Sequence, residues 1–77
     1  MLTLMQKIEK PKDSLRPART MYYYGINGDE VAQVTVMKSG WNRISVLGIG
    51  EENRFYENRL KTLEEALDCI LKHVKGA

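Results

Sequence analysis

The stretch Thr62-Leu-Glu-Glu-Ala-Leu-Asp-Cys-Ile-Leu-Lys-His-Val-Lys-Gly76 decides the fold. Its apolar residues recur at helical spacing, which predicts a helix over 62–75 with one buried stripe. The stripe consists of Leu63, Ala66, Leu67, Ile70, Leu71 and Val74. Thr62 and Glu65 have the spacing of a capping box, and Gly76 is suited to end the helix. Because an isolated helix of this length is marginal in water, the rest of the chain has to cover the stripe.

The residues before this helix predict an antiparallel sheet. Four segments have strand composition, and turn-forming residues separate them; they are 21–26, 30–38, 41–47 and 54–60. Ala32, Val34 and Val36 alternate with polar residues, as in a half-buried strand. We therefore predict an α+β fold, a four-stranded antiparallel meander packed on one C-terminal helix. In the last strand, Tyr56 and Leu60 are expected to share the face that meets the helix.

Tyr22, Tyr23 and Tyr24 are consecutive, so the register of the first hairpin decides which rings face the core. A two-residue turn at Asn27-Gly28 places Tyr23 on the same face as Ala32. A three-residue turn places Tyr22 and Tyr24 there instead, because a slip of one residue reverses every side chain. We favour the second arrangement, which buries two rings and leaves Tyr23 outward.

The first 20 residues carry the net positive charge of the chain. They contain five Lys and Arg residues against two Asp and Glu residues, whereas residues 21–77 contain seven against eight. Residues 2–10 have the pattern of a short amphipathic helix, which Pro11 would end. Residues 11–19 have loop composition. We predict a flexible basic leader over 1–20 and a single domain over 21–77.

Size and composition limit the class of protein. A chain of 77 residues, with 43% apolar and 29% charged residues, has room for one small core. No apolar run approaches the ~20 residues of a membrane span, and the N-terminus lacks the pattern of a secretory signal. The single Cys69 cannot form an internal disulfide. These features predict a cytoplasmic protein that does not contact membranes.

The sequence predicts no catalytic, metal or cofactor site. Cys69 and His73 are spaced i, i+4, but the chain has no other His or Cys to complete a zinc site. The pair also lacks a third residue to orient the histidine as a base. Gly48-Ile-Gly50 lies between predicted strands, whereas a dinucleotide-binding loop opens a helix. We therefore predict that the protein is not an enzyme.

Aromatic residues and arginines of the predicted sheet are the candidates for partner binding. In either register at least one tyrosine, and one of Phe55 and Tyr56, points outward near arginines, which suits a protein surface or nucleic-acid bases. The candidate residues are Tyr23, Trp41, Arg43, Arg54, Phe55 and Arg59. We predict a regulatory or inhibitory binding module of phage or mobile-element type that engages a larger protein. DNA binding through the outer sheet face is the alternative.

The strand at residues 21–26 also predicts self-association. As an edge strand, it would expose unpaired backbone groups, and it contains no charge or proline to protect them. We predict a weak homodimer in which two copies pair through residues 21–26, unless the leader covers that edge.

The C-terminal half resembles a known DNA-binding domain. From Gly40 onward, Trp41-Asn-Arg-Ile-Ser-Val, then Arg54-Phe-Tyr-Glu-Asn-Arg-Leu, then Lys61-Thr-Leu-Glu-Glu-Ala resembles the N-terminal arm-binding domain of phage integrases of the tyrosine-recombinase class. The resemblance covers residues 40–74. It implies a three-stranded sheet on one helix that reads DNA with the sheet, and it implies DNA-facing roles for Arg43, Arg54 and Arg59. It does not imply recombination activity.

Overall fold

The computed structural model describes residues 1–38 and 43–75, which form a meander sheet with a helix on one face. Consecutive strands are antiparallel neighbours in the sheet. The elements are β1 (Leu2–Lys10), β2 (Arg19–Ile26), β3 (Asp29–Met37), β4 (Arg43–Gly48), a 3-10 turn (Glu51–Asn53), β5 (Tyr56–Leu60) and α1 (Leu63–His73). The α+β class and the antiparallel sheet are confirmed, but the sheet has five strands in place of the predicted four.

The predicted flexible leader is largely a strand. Residues 2–10 pair with β2, from Leu2 opposite Ile26 to Lys10 opposite Arg19, with a bulge at Met5. The prediction of a leader over 1–20, with a helix at 2–10, was therefore wrong. The backbone groups of this segment find their hydrogen-bond partners in β2, which is a contact between residues distant in the sequence. Residues 11–18 connect β1 to β2.

Because β1 covers it, β2 lies inside the sheet, between β1 and β3. Its backbone donors and acceptors pair on both sides, so it has no free edge for another chain. The predicted homodimer through residues 21–26 lacks the edge that it requires. In the sheet that the structure describes, the two edges are β1 and β5.

The β2–β3 hairpin turns at Asn27-Gly28. Both residues have positive φ, 53° and 87°, as a two-residue type I′ turn requires. A bulge at Val31 follows the turn and shifts the register by one residue. As a result, Tyr22 and Tyr24 pack against the core, and Tyr23 lies on the other face. The predicted orientation is confirmed, but a bulge causes it, and the predicted three-residue turn was wrong.

The core lies between α1 and the central strands. Its buried residues are Val31, Ala32, Val34, Ile44, Val46, Ala66, Ile70 and Val74. At the start of α1, Thr62 Oγ1 accepts a hydrogen bond from the Glu65 N–H at 3.1 Å, which confirms Thr62 as the N-cap. Glu65 Oε2 in turn accepts from the Lys61 N–H at 3.1 Å.

α1 is shorter than predicted. It ends at His73, because Val74 has extended backbone and buries its side chain in the core. The predicted ending at Gly76 lies outside the residues that the structure describes. Within residues 1–38 and 43–75, no helix has the length and apolar character that crossing a membrane needs.

β5 also contains a bulge. The pairing of β4 with β5 shifts between Ile44 and Val46, which breaks the alternation of side chains along β5. Leu60 therefore packs against the core, whereas Tyr56 pairs with Leu47 on the opposite face and is 63% exposed. The prediction that Tyr56 and Leu60 share a face was wrong for this reason.

Candidate binding surface on the open sheet face

Among residues 1–38 and 43–75, no helix packs on the face of the sheet opposite α1, and we call it the open face. Strand register arranges its side chains in three rows that run across the strands. The cationic row consists of Lys10, Arg19, Met37 and Arg43. The middle row consists of Ile8, Met21, Thr35 and Ser45. The tyrosine row consists of Gln6, Tyr23, Gln33, Leu47 and Tyr56. These three rows contain no Asp or Glu.

The cationic row places like charges next to each other. Lys10 lies directly opposite Arg19, and Met37 separates Arg19 from Arg43. With neighbouring strands ~4.8 Å apart, the backbone positions of Lys10 and Arg43 are about 14 Å apart. A directly opposed pair of like charges is destabilising, by roughly 0.2–1 kcal/mol. An ion pair between Lys7 Nζ and Glu9 Oε1, at 4.0 Å, lies on the other side of β1 and does not offset this charge.

A groove of about 430 Å³ runs over the cationic and middle rows. The connection between β1 and β2 forms one wall through Leu15, Arg16 and Pro17. Arg19 lines the groove, and its Nη1 atom is enclosed by protein without a hydrogen-bond partner in the part of the chain that the structure describes. A buried guanidinium nitrogen without an acceptor is costly. Three arginines, Arg16, Arg19 and Arg43, line the groove, so its charge suits an anionic group.

A turn at Asp13 holds this wall in place. Asp13 Oδ1 accepts hydrogen bonds from the backbone N–H groups of Leu15, at 2.8 Å, and Arg16, at 2.7 Å. These two bonds favour the ionised carboxylate and lower the pKa of Asp13, with smaller contributions from the charges of Arg19 and Arg16. The Asp13 N–H also donates to the Arg16 carbonyl oxygen at 3.0 Å, so ionisation of Asp13 strengthens a turn that a backbone hydrogen bond also holds.

The middle row offers hydroxyl groups to the floor of the groove. Thr35 and Ser45 lie directly opposite each other on β3 and β4. Gln33 Nε2 donates a hydrogen bond to Thr35 Oγ1 at 3.1 Å, so the Thr35 hydroxyl proton is available to a further acceptor. The floor therefore adds hydrogen-bond donors to the surrounding positive charge.

The tyrosine row gives the open face exposed apolar surface. Tyr56 and Leu47 are neighbours across β4 and β5, and they are 63% and 47% exposed. Tyr23 is half-buried in the same row, on β2. Aromatic side chains that are already held by a sheet lose little conformational freedom when a partner covers them. This row is suited to anchor a contact.

The structure brings together only part of the predicted partner-binding set. Tyr23 and Arg43 lie on the open face. Arg54 and Arg59 are exposed but do not line the groove. Phe55 is half-buried against the core and stacks on the His73 ring, with centroids 4.7 Å apart. Trp41 lies outside the described residues.

Sequence reasoning missed Lys10, Arg19, Met21, Met37 and Tyr56 as members of this surface. The first two were assigned to the leader, and Tyr56 was assigned to the helix-facing side. A signal for the extended β2 was present, because Arg19, Met21 and Tyr23 alternate with Thr20, Tyr22 and Tyr24.

Cys69 and His73 do not form a nucleophilic pair. The Cys69 Sγ to His73 Nδ1 distance is 3.7 Å, but His73 Nδ1 also lies 2.9 Å from the Cys69 carbonyl oxygen. This carbonyl can only accept, so Nδ1 carries the proton and has no lone pair for the thiol. Burial raises the pKa of the Cys69 thiol, and the charge of Glu57 adds to this effect. The raised pKa favours the protonated thiol, which is a weaker nucleophile than the thiolate.

Carboxylates cluster at the other end of the sheet, which we call the acidic end. There a cavity of about 500 Å³ lies between the β2–β3 turn and the 3-10 turn. Asp29, Glu30, Glu51 and Glu52 line it together with Lys75. Nevertheless, among residues 1–38 and 43–75 no group of three or more His, Cys, Asp or Glu residues is arranged to hold a metal ion.

No family model, curated protein or solved structure gives a significant match to this chain. The resemblance of residues 40–74 to the integrase arm-binding domain stays a prediction. The candidate site therefore depends on its own geometry.

Proposed function

We propose that this protein is a non-catalytic binding module that engages a larger protein through the open face. The composition of that face is the observation that carries the proposal. The cores of protein interfaces are enriched in Tyr, Met and Arg and depleted in Asp, Glu and Lys. The three rows contain Tyr23, Tyr56, two methionines and two arginines, with Lys10 only at the margin and no carboxylate.

The exposed pair of the tyrosine row supplies the anchor of this contact. Leu47 and Tyr56 are side by side and largely accessible. A few well-packed aromatic and arginine side chains usually dominate the energy of an interface, while the surrounding contacts exclude water. A protein that binds in this way occupies its partner's surface, which fits the regulatory or inhibitory role predicted from the sequence. We retain that role as part of the proposal.

The test compares capture of a partner by matched variants. Purified chain is immobilised, proteins retained from its native host are identified, and each interaction is measured with the purified protein. We expect Tyr56→Ala to weaken the interaction at least about tenfold, since an anchor residue typically contributes more than 1.4 kcal/mol. Leu71→Ala on α1 is the control, because Leu71 is 49% exposed on the other side of the sheet. Loss of binding in the Leu71 variant alone would contradict the proposal.

DNA is the second candidate partner, favoured by the presence of the cationic row beside exposed tyrosines. Lys10, Arg19 and Arg43 offer three charges to phosphates. Displacing about three counterions gives a salt slope of roughly −2.7, or about a fortyfold loss of affinity between 50 and 200 mM salt. We therefore expect no duplex binding of practical strength at physiological salt. A sub-micromolar duplex complex under those conditions would reverse this ranking.

A further inference from the structure

We propose that the cationic row is a carboxylate-binding site for an extended acidic segment of the partner protein, with Arg19 as its central anchor. This inference rests on the proposed function and specifies the chemistry of the partner. Arg19 lines the groove, and its Nη1 atom is buried against protein atoms without an acceptor among the described residues. A turn of the Arg19 side chain toward the groove would let its guanidinium donate to a carboxylate there, and arginine binds carboxylates through two parallel hydrogen bonds.

The charge around Arg19 supports the same conclusion independently. Lys10 lies opposite Arg19, Arg16 lines the same groove, and Arg43 completes the row. The three rows contain no carboxylate, and Asp13 in the β1–β2 connection, whose pKa the charges of Arg19 and Arg16 lower, is one carboxylate against these four cations. Such an arrangement lowers the stability of the free protein. A bound anion removes that repulsion and adds hydrogen bonds, so the groove favours the anion-bound state.

The spacing of the row indicates a peptide with separated carboxylates. From Lys10, the strands bearing Arg19, Met37 and Arg43 lie about 5, 10 and 14 Å away. In an extended peptide, the side chains of residues i, i+2 and i+4 point to the same side. Each is about 6.7 Å from the next along the peptide. A carboxylate placed between Lys10 and Arg19 thus puts residue i+2 over Met37 and residue i+4 at Arg43. The matching pattern is acidic, any residue, apolar, any residue, acidic.

Met37 distinguishes this partner from a nucleic-acid strand. Its apolar side chain separates the two arginines of the row, where a continuous polyanion would place further charge. A peptide with an aliphatic side chain between two carboxylates can pair its carboxylates with the cationic side chains of the row. Its aliphatic side chain then packs on Met37. The row is therefore complementary to an acidic and apolar protein segment.

The test uses the full chain, labelled with ¹⁵N, and an acetylated and amidated peptide of sequence Glu-Ser-Leu-Ser-Glu. The matched control peptide is Gln-Ser-Leu-Ser-Gln. We expect the Glu peptide to shift the backbone resonances of Arg19, Thr35 and Ser45 and to bind at least about fivefold more tightly than the Gln peptide, as loss of charge-assisted bonds predicts. Arg19→Gln and Arg43→Gln should each remove this preference. Lys72→Gln, which removes one charge from α1, should retain it.

The other outcomes overturn the inference in distinguishable ways. Equal binding of both peptides on the open face would remove the carboxylate site but leave the proposed function intact. Shifts confined to α1 would contradict both. Stronger competition by inorganic phosphate or octathymidylate than by the Glu peptide would assign the row to phosphates. Concentration-dependent broadening that Glu51→Gln and Glu52→Gln abolish would assign it to the acidic end of a second copy. Spectra of the unbound variants confirm that each remains folded.

Discussion

The two faces of the sheet use alternate residues of the same strands for different purposes. On the core face, Val34, Ile44 and Val46 are buried against Ala66 and Ile70 of α1. On the open face, their chain neighbours are polar, cationic or exposed apolar side chains, and several of them line the groove. Alternation along a strand thus assigns one side to stability and the other to binding. Substitutions on the two faces should therefore have separable effects.

The largest difference in stability should appear between truncation of an aliphatic side chain in the core and truncation of one on the open face. Ile70 is fully buried, whereas Leu47 is 47% exposed. Ile70→Ala should cost ~2–5 kcal/mol, because it removes buried surface and leaves a cavity. Leu47→Ala should cost less than about 1 kcal/mol, since its side chain is already partly in water. Urea denaturation of both variants measures the difference. Similar midpoints for the two variants would show that the core face does not dominate stability.

A methyl group added at Gly48 should have the next largest effect. A Cβ at this position would meet the backbone oxygen of Asn53 and would lie 2.7 Å from Phe55 Cδ1. The 3-10 turn and the start of β5 would have to move, which should cost ~1–3 kcal/mol for Gly48→Ala. Ser45→Ala, on the same strand but on the open face, is the control and should change stability by less than about 0.5 kcal/mol. Thermal unfolding measures the stability of both variants. A melting temperature of Gly48→Ala equal to that of the parent would mean that the 3-10 turn is free to shift.

Most of the fold could be predicted from local sequence patterns, but β1 could not. The helix was predictable because its apolar stripe, its cap and its charged ends agree over residues 62–75. β1 was missed because Leu4, Met5 and Ile8 also have helical spacing. Whether residues 2–10 form a helix or a strand depends on the free edge of β2, which is a long-range contact.

The candidate site was predictable only where alternation is regular. Arg43 was identified because β4 keeps a period of two. Tyr23 was placed on the correct face although the predicted turn was wrong, because the bulge at Val31 shifts the register by the same one residue. Arg19 was missed with β1, since the length of β2 depends on its partner. Tyr56 was assigned to the wrong face because the bulge in β5 reverses the alternation. A bulge depends on the partner strand and carries little sequence signal. The face on which a side chain lies is therefore hardest to predict near a bulge.

A charge change on the open face should raise stability while weakening binding. Lys10 and Arg19 are directly opposed like charges, and Lys10→Glu converts them into an opposite-charge pair. Stability should rise by ~0.2–1 kcal/mol, because repulsion is replaced by attraction, and affinity for the acidic peptide should fall. Lys10→Gln is the intermediate control. Chemical denaturation and peptide titration check the two effects together. An unchanged stability of Lys10→Glu would show that solvent already screens the repulsion in the cationic row.

The smallest effect should be the loss of the Asp13 carboxylate charge at acid pH, which should alter only the turn that forms the wall of the groove. The pKa of Asp13 is lowered from 3.8 by hydrogen bonds from the Leu15 and Arg16 N–H groups. A lowered pKa in the folded state means that the ionised carboxylate stabilises the turn above pH ~3.8, and this contribution is lost as the pH falls through the folded pKa. Between pH 6 and 2, the Leu15 and Arg16 amide resonances should report one transition with a midpoint below 3.8. Resonances of Ile44 and Val46, on the core face, should not follow it. Asp13→Asn, which cannot ionise, is the control and should abolish the transition. A midpoint at or above 3.8 would mean that these hydrogen bonds do not hold the wall in solution.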